Sequence, residues 1–201
     1  MNSIHIYPYN TNDKKHTLDT ISEWNFSKNW PVTYIIYNNE KAYVGETLDA
    51  IRRTEQHLNE EEFNCFTQIC LISSLSFNKS VILDLESYLI KYMSADGLFK
   101  LTNENAGIVD HNYFYKEKYH FEFKDIWKEL TDNKLAKRSL NDIENSELFK
   151  YSPYKALSEE QKTTVDKILR DIIEINNSCT ADYSTSKSVV KVLGGAGTGK
   201  T

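Results

Sequence analysis

The stretch that most constrains this 201-residue chain is a pair of β-prone runs separated by four turn-forming residues. Val32-Thr33-Tyr34-Ile35-Ile36-Tyr37 is β-branched or aromatic at every position, which suits a pleated strand packed on its neighbours. Asn38-Asn39-Glu40-Lys41 supplies residues that close turns, and Ala42-Tyr43-Val44-Gly45 returns as a partner strand. Such a pattern predicts an antiparallel hairpin with Tyr34 and Tyr43 on facing strands.

Two helices and a further strand are predicted next. Thr47 is positioned to cap a helix over about 48–58, with Leu48, Ile51 and Leu58 as its apolar stripe. Arg53 and His57 are four residues apart, so they share a face, whereas Arg52 points elsewhere on the helix. Residues 66–72 read as a third strand. Ser80 is placed to cap a second helix over about 81–95, whose apolar face comprises Ile82, Leu85, Leu89, Ile90 and Met93. Glu86 falls in the middle of that face, while Asp84, Ser87, Lys91 and Ser94 lie opposite. A carboxylate in apolar surroundings costs several kcal/mol unless it is paired. Glu86 therefore either meets a buried Lys, Arg or Tyr, or holds a cation.

Taken singly, each of these residues has an ordinary structural reading: a solvated arginine, a packed tyrosine, a satisfied histidine. Their order is more specific. Arg53 follows Tyr43 by ten residues and His57 follows Arg53 by four, with a carboxylate on a later helix and asparagines after it. Phosphodiester hydrolysis needs an activated water, charge neutralisation at phosphorus and assistance to the leaving oxygen. A carboxylate-bound divalent cation and an arginine fork can supply these.

Val32-Thr33-Tyr34, Tyr43-Val44-Gly45, Arg53, His57 and Glu86 together resemble the GIY-YIG nuclease family over about residues 30–110. The first motif departs from the family pattern, with Val32-Thr33 in place of Gly-Ile, and the nine-residue interval between the tyrosines requires a tight hairpin. The resemblance implies an α+β fold, a small three-stranded antiparallel sheet flanked by helices. It makes Tyr34 the general base, Tyr43 the second-motif tyrosine, Arg53 the phosphate clamp and His57 an acid/base or phosphate ligand. Glu86 becomes the single ligand of Mg²⁺ or Mn²⁺. The family's late asparagine falls on Asn103 or Asn105, with Asn103 preferred. The implied substrate is DNA, and cutting both strands would call for two sites, hence a homodimer.

Net charge is −5, so neutralisation of DNA phosphates must come from local basic patches, and weak, salt-sensitive binding is expected. No stacking motif for single-stranded RNA is legible. No apolar run approaches the roughly 18 residues of a membrane helix, and the N-terminus lacks a basic-then-apolar signal. Cys65, Cys70 and Cys179 show no CxxC spacing and read as reduced thiols of a cytoplasmic protein.

The predicted organisation has four parts. Residues 1–29 form an extension with a short strand and a helix near 17–26, packing on the nuclease domain of 30–130. A mixed segment within that domain, 97–130, ends in a short helix around Trp127, and a polar linker with helical tendency covers 131–150. In 151–201, Ser158-Glu159-Glu160-Gln161 is a capping-box sequence opening an amphipathic helix to about 176. An apolar strand, 188–193, then enters Gly194-Gly195-Ala196-Gly197-Thr198-Gly199-Lys200-Thr201, a phosphate-binding loop in the right context. In such a loop backbone amides cradle phosphates, Lys200 reaches the β- and γ-phosphates and Thr201 contacts Mg²⁺.

The segment around Gln161 resembles the adenine-reading glutamine motif of superfamily 1 helicases. Gln161, Gly194, Gly199, Lys200 and Thr201 would bind ATP in a full-length protein carrying a C-terminal helicase-like ATPase domain. The expectation is an engineered truncation with no ATPase activity and poor order after about residue 180. A nuclease–helicase of this kind suggests action on foreign (phage) or damaged DNA. The rival reading is a catalytically silent DNA- or protein-binding adaptor for that ATPase.

Overall fold

The computed structural model describes residues 3–103, 112–146, 149 and 167–168. The chain divides into two compact units, Met1–Lys150 and Tyr151–Thr201. Gln161, the 188–193 strand and the glycine-rich loop with Gly194, Gly199, Lys200 and Thr201 lie outside the described residues, as do Asn105 and Cys179.

The predicted hairpin is present as β2 (Val32–Tyr37) and β3 (Lys41–Thr47), antiparallel, with Tyr34 opposite Gly45 and Ile36 opposite Tyr43. Asn38 shapes the turn, its Oδ1 accepting from the amides of Glu40 (2.8 Å) and Lys41 (2.7 Å). The third strand, β4 (Gln68–Ser73), pairs antiparallel with β2 on the other side. The sheet is larger than the three strands expected. Its order is β1-β4-β2-β3-β5, with β1 (Ser3–Pro8) antiparallel to β4 and the two-residue β5 (Lys100–Leu101) parallel to β3. The N-terminal segment thus adds a strand to the sheet as well as packing on it, because β4 had a free hydrogen-bonding edge to fill.

Helices cover both faces, as the alternation of the strands requires. Helices α1 (Lys14–Ser22) and α2 (Ala50–His57) are on the side of Val32, Tyr34 and Ile36, where Ile21, Ala50, Leu58, Phe63 and Phe66 complete a core. Helix α3 (Lys79–Asp96) lies on the side of Ile35, Val44, Cys70 and Ile72. Side chains as enclosed as Ile35 and Ile72 each contribute about 1.5–3 kcal/mol relative to exposure.

Local chemistry moves three helix starts from the expected positions. Asp13, Asp49 and Asn78 are the caps, their side chains accepting from the amides of His16, Arg52 and Val81. Thr47 instead accepts from the Asp49 amide (3.0 Å), one step before the helix, and Leu48 is left exposed. Gly97, at φ +66°, closes α3 in the left-handed conformation that glycine adopts without a Cβ clash.

Beyond α3 the chain is more ordered than its polarity suggests. In place of a short helix at Trp127 there is a 17-residue α4 (Lys116–Asp132), followed by α5 (Leu140–Asn145). Phe123, Ile126, Trp127, Leu130, Leu135, Ala136 and Ile143 are buried in the same core as α3. The segment expected as a linker is therefore anchored at Leu135, Ala136 and Ile143. Asp84 and Ser87, assigned by periodicity to an open polar face, are buried there too, at 4% and 7% exposure. Asp84 is satisfied by the Tyr113 hydroxyl (2.8 Å).

A buried carboxylate also pins the turn after α4. Asp96, 3% exposed at the end of α3, accepts from the amides of Lys137 (3.1 Å) and Arg138 (2.7 Å). Replacing Asp96 with Ala leaves those donors without their partner. Urea denaturation is expected to show a loss of about 1–3 kcal/mol, and an unchanged midpoint would show that water replaces the carboxylate.

Candidate functional site

The site is centred on the Tyr34 hydroxyl. Tyr34 is central in β2 and only 3% exposed. Its ring passes directly over Gly45 on β3, so that a Cβ built there would lie 2.3 Å from Tyr34 Oη and 2.4 Å from Cζ. The glycine of the second motif is thus required by close approach of a side chain.

Helix α2 delivers two groups to Tyr34 Oη. Arg53 Nε donates to it at 3.1 Å, and His57 Nε2 lies 2.8 Å away. The i, i+4 spacing puts both on one helix face, and the cap at Asp49 sets the phase of that face against β2. Arg52, as its position predicts, is exposed. Arg53 Nη1 also donates to Gln56 Oε1 at 3.2 Å.

His57 is 1% exposed. The Phe63 ring lies 3.9 Å from its centroid, and Tyr43 meets it edge-on at 5.4 Å. Its Nδ1 is 2.9 Å from Glu60 Oε2. Burial holds the imidazole down to about 4, with Arg53 acting in the same direction and Glu60 opposing, so the ring is neutral at pH 7. Tyr43 is half-buried, its ring 6.3 Å from that of Tyr34. Burial raises the pKa of both tyrosines, while Arg53 favours their ionised forms.

Glu86 comes from the opposite face of the sheet, on α3. It is half-buried and accepts no hydrogen bond from any described residue. Its carboxyl is pushed up to about 7, first by burial and then by Glu46 of β3, with Lys79 and Arg53 opposing. Glu46 is itself paired with Lys79, at the start of α3. Glu86 is thus within electrostatic reach of Arg53 and of both tyrosines.

Asn103 is placed differently from the rest. Its Oδ1 accepts from the Val44 amide (3.0 Å) and its Nδ2 donates to the Val44 carbonyl (2.7 Å), prolonging the β3–β5 pairing with a side chain. It thereby holds the β3 edge between Tyr43 and Gly45.

The fold gathers Tyr34, Tyr43, Arg53 and His57 into one cluster, with Glu86 coupled to them by charge and Asn103 supporting the strand beneath. Sequence reasoning did not single out Glu60, Phe63, Glu46 or Lys79. Glu60, three residues after His57 at the helix end, carried the one available signal, the i, i+3 spacing of an acid and a histidine.

A divalent cation fits Glu86 on its donor chemistry, since a partly desolvated carboxylate that accepts no hydrogen bond from the described residues favours a positive charge. No group of three or more His, Cys, Asp or Glu that could hold a metal occurs among the described residues. Water and substrate oxygens would have to supply the remaining ligands, as Mg²⁺ sites commonly allow. No described helix is long and apolar enough to cross a membrane.

Two outcomes test this geometry. Gly45→Ala must displace the Tyr34 ring, and a melt is expected to show a loss of about 1–3 kcal/mol with a changed Tyr34 ring environment by NMR; a native-like spectrum would refute the close approach. Glu86→Gln should stabilise the metal-free protein at pH 8 by about 1–3 kcal/mol. The folded pKa lies above the ordinary one of 4.5, so the penalty is full above pH 7 and vanishes below about 4.5. A gain that persists unchanged at pH 4.5 would exclude charge burial as its cause.

No curated protein and no solved structure compared with this chain matches it. Residues 31–98, which span β2, β3, α2, β4 and α3 through Asp96, match the family model described as the GIY-YIG catalytic domain. With the hairpin, the arginine-bearing helix and the α3 carboxylate in that order, residues 31–98 form a GIY-YIG domain.

Proposed function

We propose that this chain is a metal-dependent DNA endonuclease, with Tyr34, Tyr43, Arg53, His57 and Glu86 as its working groups and Asn103 supporting them. The observation that carries the reading is the Tyr34 hydroxyl held between Arg53 Nε and His57 Nε2, coupled by charge to a Glu86 carboxylate that accepts no hydrogen bond from the described residues.

Tyr34 is the proton shuttle. Burial raises its pKa and His57 is held at about 4, so a free phenolate is not populated at neutral pH. The two proton transfers must therefore be concerted. Water gives a proton to Tyr34 Oη as Tyr34 passes its own to His57 Nε2. The oxygen so activated bonds to phosphorus while the bond to the opposite sugar oxygen breaks, and that oxygen takes a proton from solvent. Arg53 keeps Tyr34 oriented through Nε and offers its remaining N–H groups to the phosphate. Glu86 would hold Mg²⁺ or Mn²⁺, which would supply charge neutralisation for the reacting phosphate. Tyr43 closes the site against His57 and shares Arg53 with the substrate.

The phosphate-loop motif with Lys200 and Thr201, and the Gln161 motif upstream, support a wider role beside an ATP-driven helicase-like motor on foreign or damaged DNA. The net charge of −5 favours the rival reading, a silent adaptor that binds DNA or protein. The only partly compensated charge of Glu86 weighs against it, since an adaptor gains nothing from that cost.

Supercoiled plasmid with Mg²⁺ or Mn²⁺ decides between them. The expected result is nicking or linearisation by the unaltered chain and a fall of about 100-fold or more in Glu86→Ala and Tyr34→Phe. Equal cutting by Glu86→Ala would overturn the proposed metal ligand. No cutting, with no Mn²⁺ bound by paramagnetic resonance, would overturn the nuclease reading and favour the adaptor.

A further inference from the structure

The proton that reaches His57 in this scheme enters a ring with 1% exposure, packed between aromatic groups. Water cannot orient that ring or solvate its charge. Among the described residues the polar group at its far nitrogen is Glu60, with Oε2 2.9 Å from Nδ1 and a side chain 44% exposed. We infer that Glu60 is a positioning residue, which fixes His57 in the tautomer able to take the Tyr34 proton and stabilises the imidazolium that results.

The hydrogen-bond inventory supports this assignment. A carboxylate accepts and cannot donate, so the contact at Nδ1 requires an Nδ1–H. A neutral imidazole carries one N–H, which leaves Nε2 as an acceptor. The Tyr34 oxygen already accepts from Arg53 Nε, so its own proton is free to point at Nε2, 2.8 Å away. The chain Glu60–His57–Tyr34 is then aligned in one direction, with each proton on the side from which it must move.

Reversing the tautomer breaks the relay. An Nε2–H would donate to the Tyr34 oxygen, occupy the lone pair meant for the water proton and leave no acceptor for the tyrosine's. The logic is that of a buried acid behind a catalytic histidine in acyl transfer, where the acid orients the ring and offsets its charge without being protonated itself. Phe63 assists sterically: its ring, 3.9 Å from that of His57 and tilted by 35°, limits rotation about the χ2 bond. Glu60 sits just past the end of α2, its amide donating to the His57 carbonyl at 3.1 Å, so its backbone is placed by the same helix end.

This inference rests on the nuclease reading for its catalytic consequence but not for its structural one. The test is nitrogen-15 NMR of the His57 ring in the complete chain at pH 7.5, unaltered and as Glu60→Ala and Glu60→Gln. The unaltered protein is expected to show a protonated Nδ1 and an unprotonated Nε2. Glu60→Ala should move the proton toward Nε2, while Glu60→Gln, whose amide oxygen can still accept, should retain Nδ1–H. In plasmid cleavage, kcat should fall about tenfold or more in Glu60→Ala with KM little changed, and Glu60→Gln should lie between. A protonated Nε2 in the unaltered chain, or a tautomer indifferent to Glu60→Ala, would overturn the assignment. So would full cleavage by Glu60→Ala after a demonstrated tautomer shift. If the tautomer responds as expected in a chain that cuts no DNA, the Glu60–His57 linkage stands and the nuclease reading is what fails.

Discussion

The approach of the Tyr34 ring to the main chain at Gly45 sets the dimensions of everything around it. Because the two residues are direct partners across β2 and β3, the ring can lie flat over the glycine and carry its hydroxyl toward α2. That hydroxyl is where Arg53 and His57 converge, and the aromatic packing of Tyr43 and Phe63 then follows from where the imidazole must sit. Any side chain at position 45 would push the ring away and separate the three groups. The tyrosine is buried at a cost to its ionisation, which would suit the proposed relay of a proton better than the holding of a charge.

Helix α3 has two jobs that its sequence superimposes. Ile82, Leu85 and Leu89 tie it to the sheet, while Glu86 leaves a desolvated carboxylate within electrostatic reach of Arg53. Electrostatics make Glu86 costly in the metal-free protein, with Glu46 adding to the burden and Lys79 relieving part of it. Such a group is retained against stability, and a cation is the simplest partner that would reverse the sign of the interaction. The other side of α3 is dry as well, since Asp84 and Ser87 are buried there, Asp84 accepting from the Tyr113 hydroxyl just before α4 and Ser87 donating to the Asp84 carbonyl within α3.

The peripheral elements act as braces. Strand β1 extends the sheet beyond β4, α1 backs α2, and the Asp96 carboxylate fastens the turn after α4. Asn103 does similar work at the other edge, using a side-chain amide where a strand residue would otherwise pair with Val44. Apart from β1, which braces β4, each restrains an element that carries one of the central groups: α2 with Arg53 and His57, α3 with Glu86, β3 with Tyr43 and Gly45.

Local rules in the sequence determined the hairpin, the third strand, the α2 and α3 helices and the convergence of Arg53 with His57. Alternation, turn residues and i, i+4 spacing act over a few residues and need no partner to be read. The misplacement of Glu86 in an apolar stripe was legible for the same reason. Tertiary structure alone decided the rest. The sheet gained β1 and β5 because hydrogen-bonding edges are filled by whatever segment the chain brings alongside. Asp84 became buried because a helix thirty-odd residues later covers it, which no periodicity within α3 can announce. The glycine at 45 acquired its necessity from a ring on another strand, and Glu60 its partner from the way α2 ends. Proximity between residues distant in sequence, or across a turn whose geometry packing selects, is a property of the folded chain, and the chemistry proposed at Tyr34 depends on it.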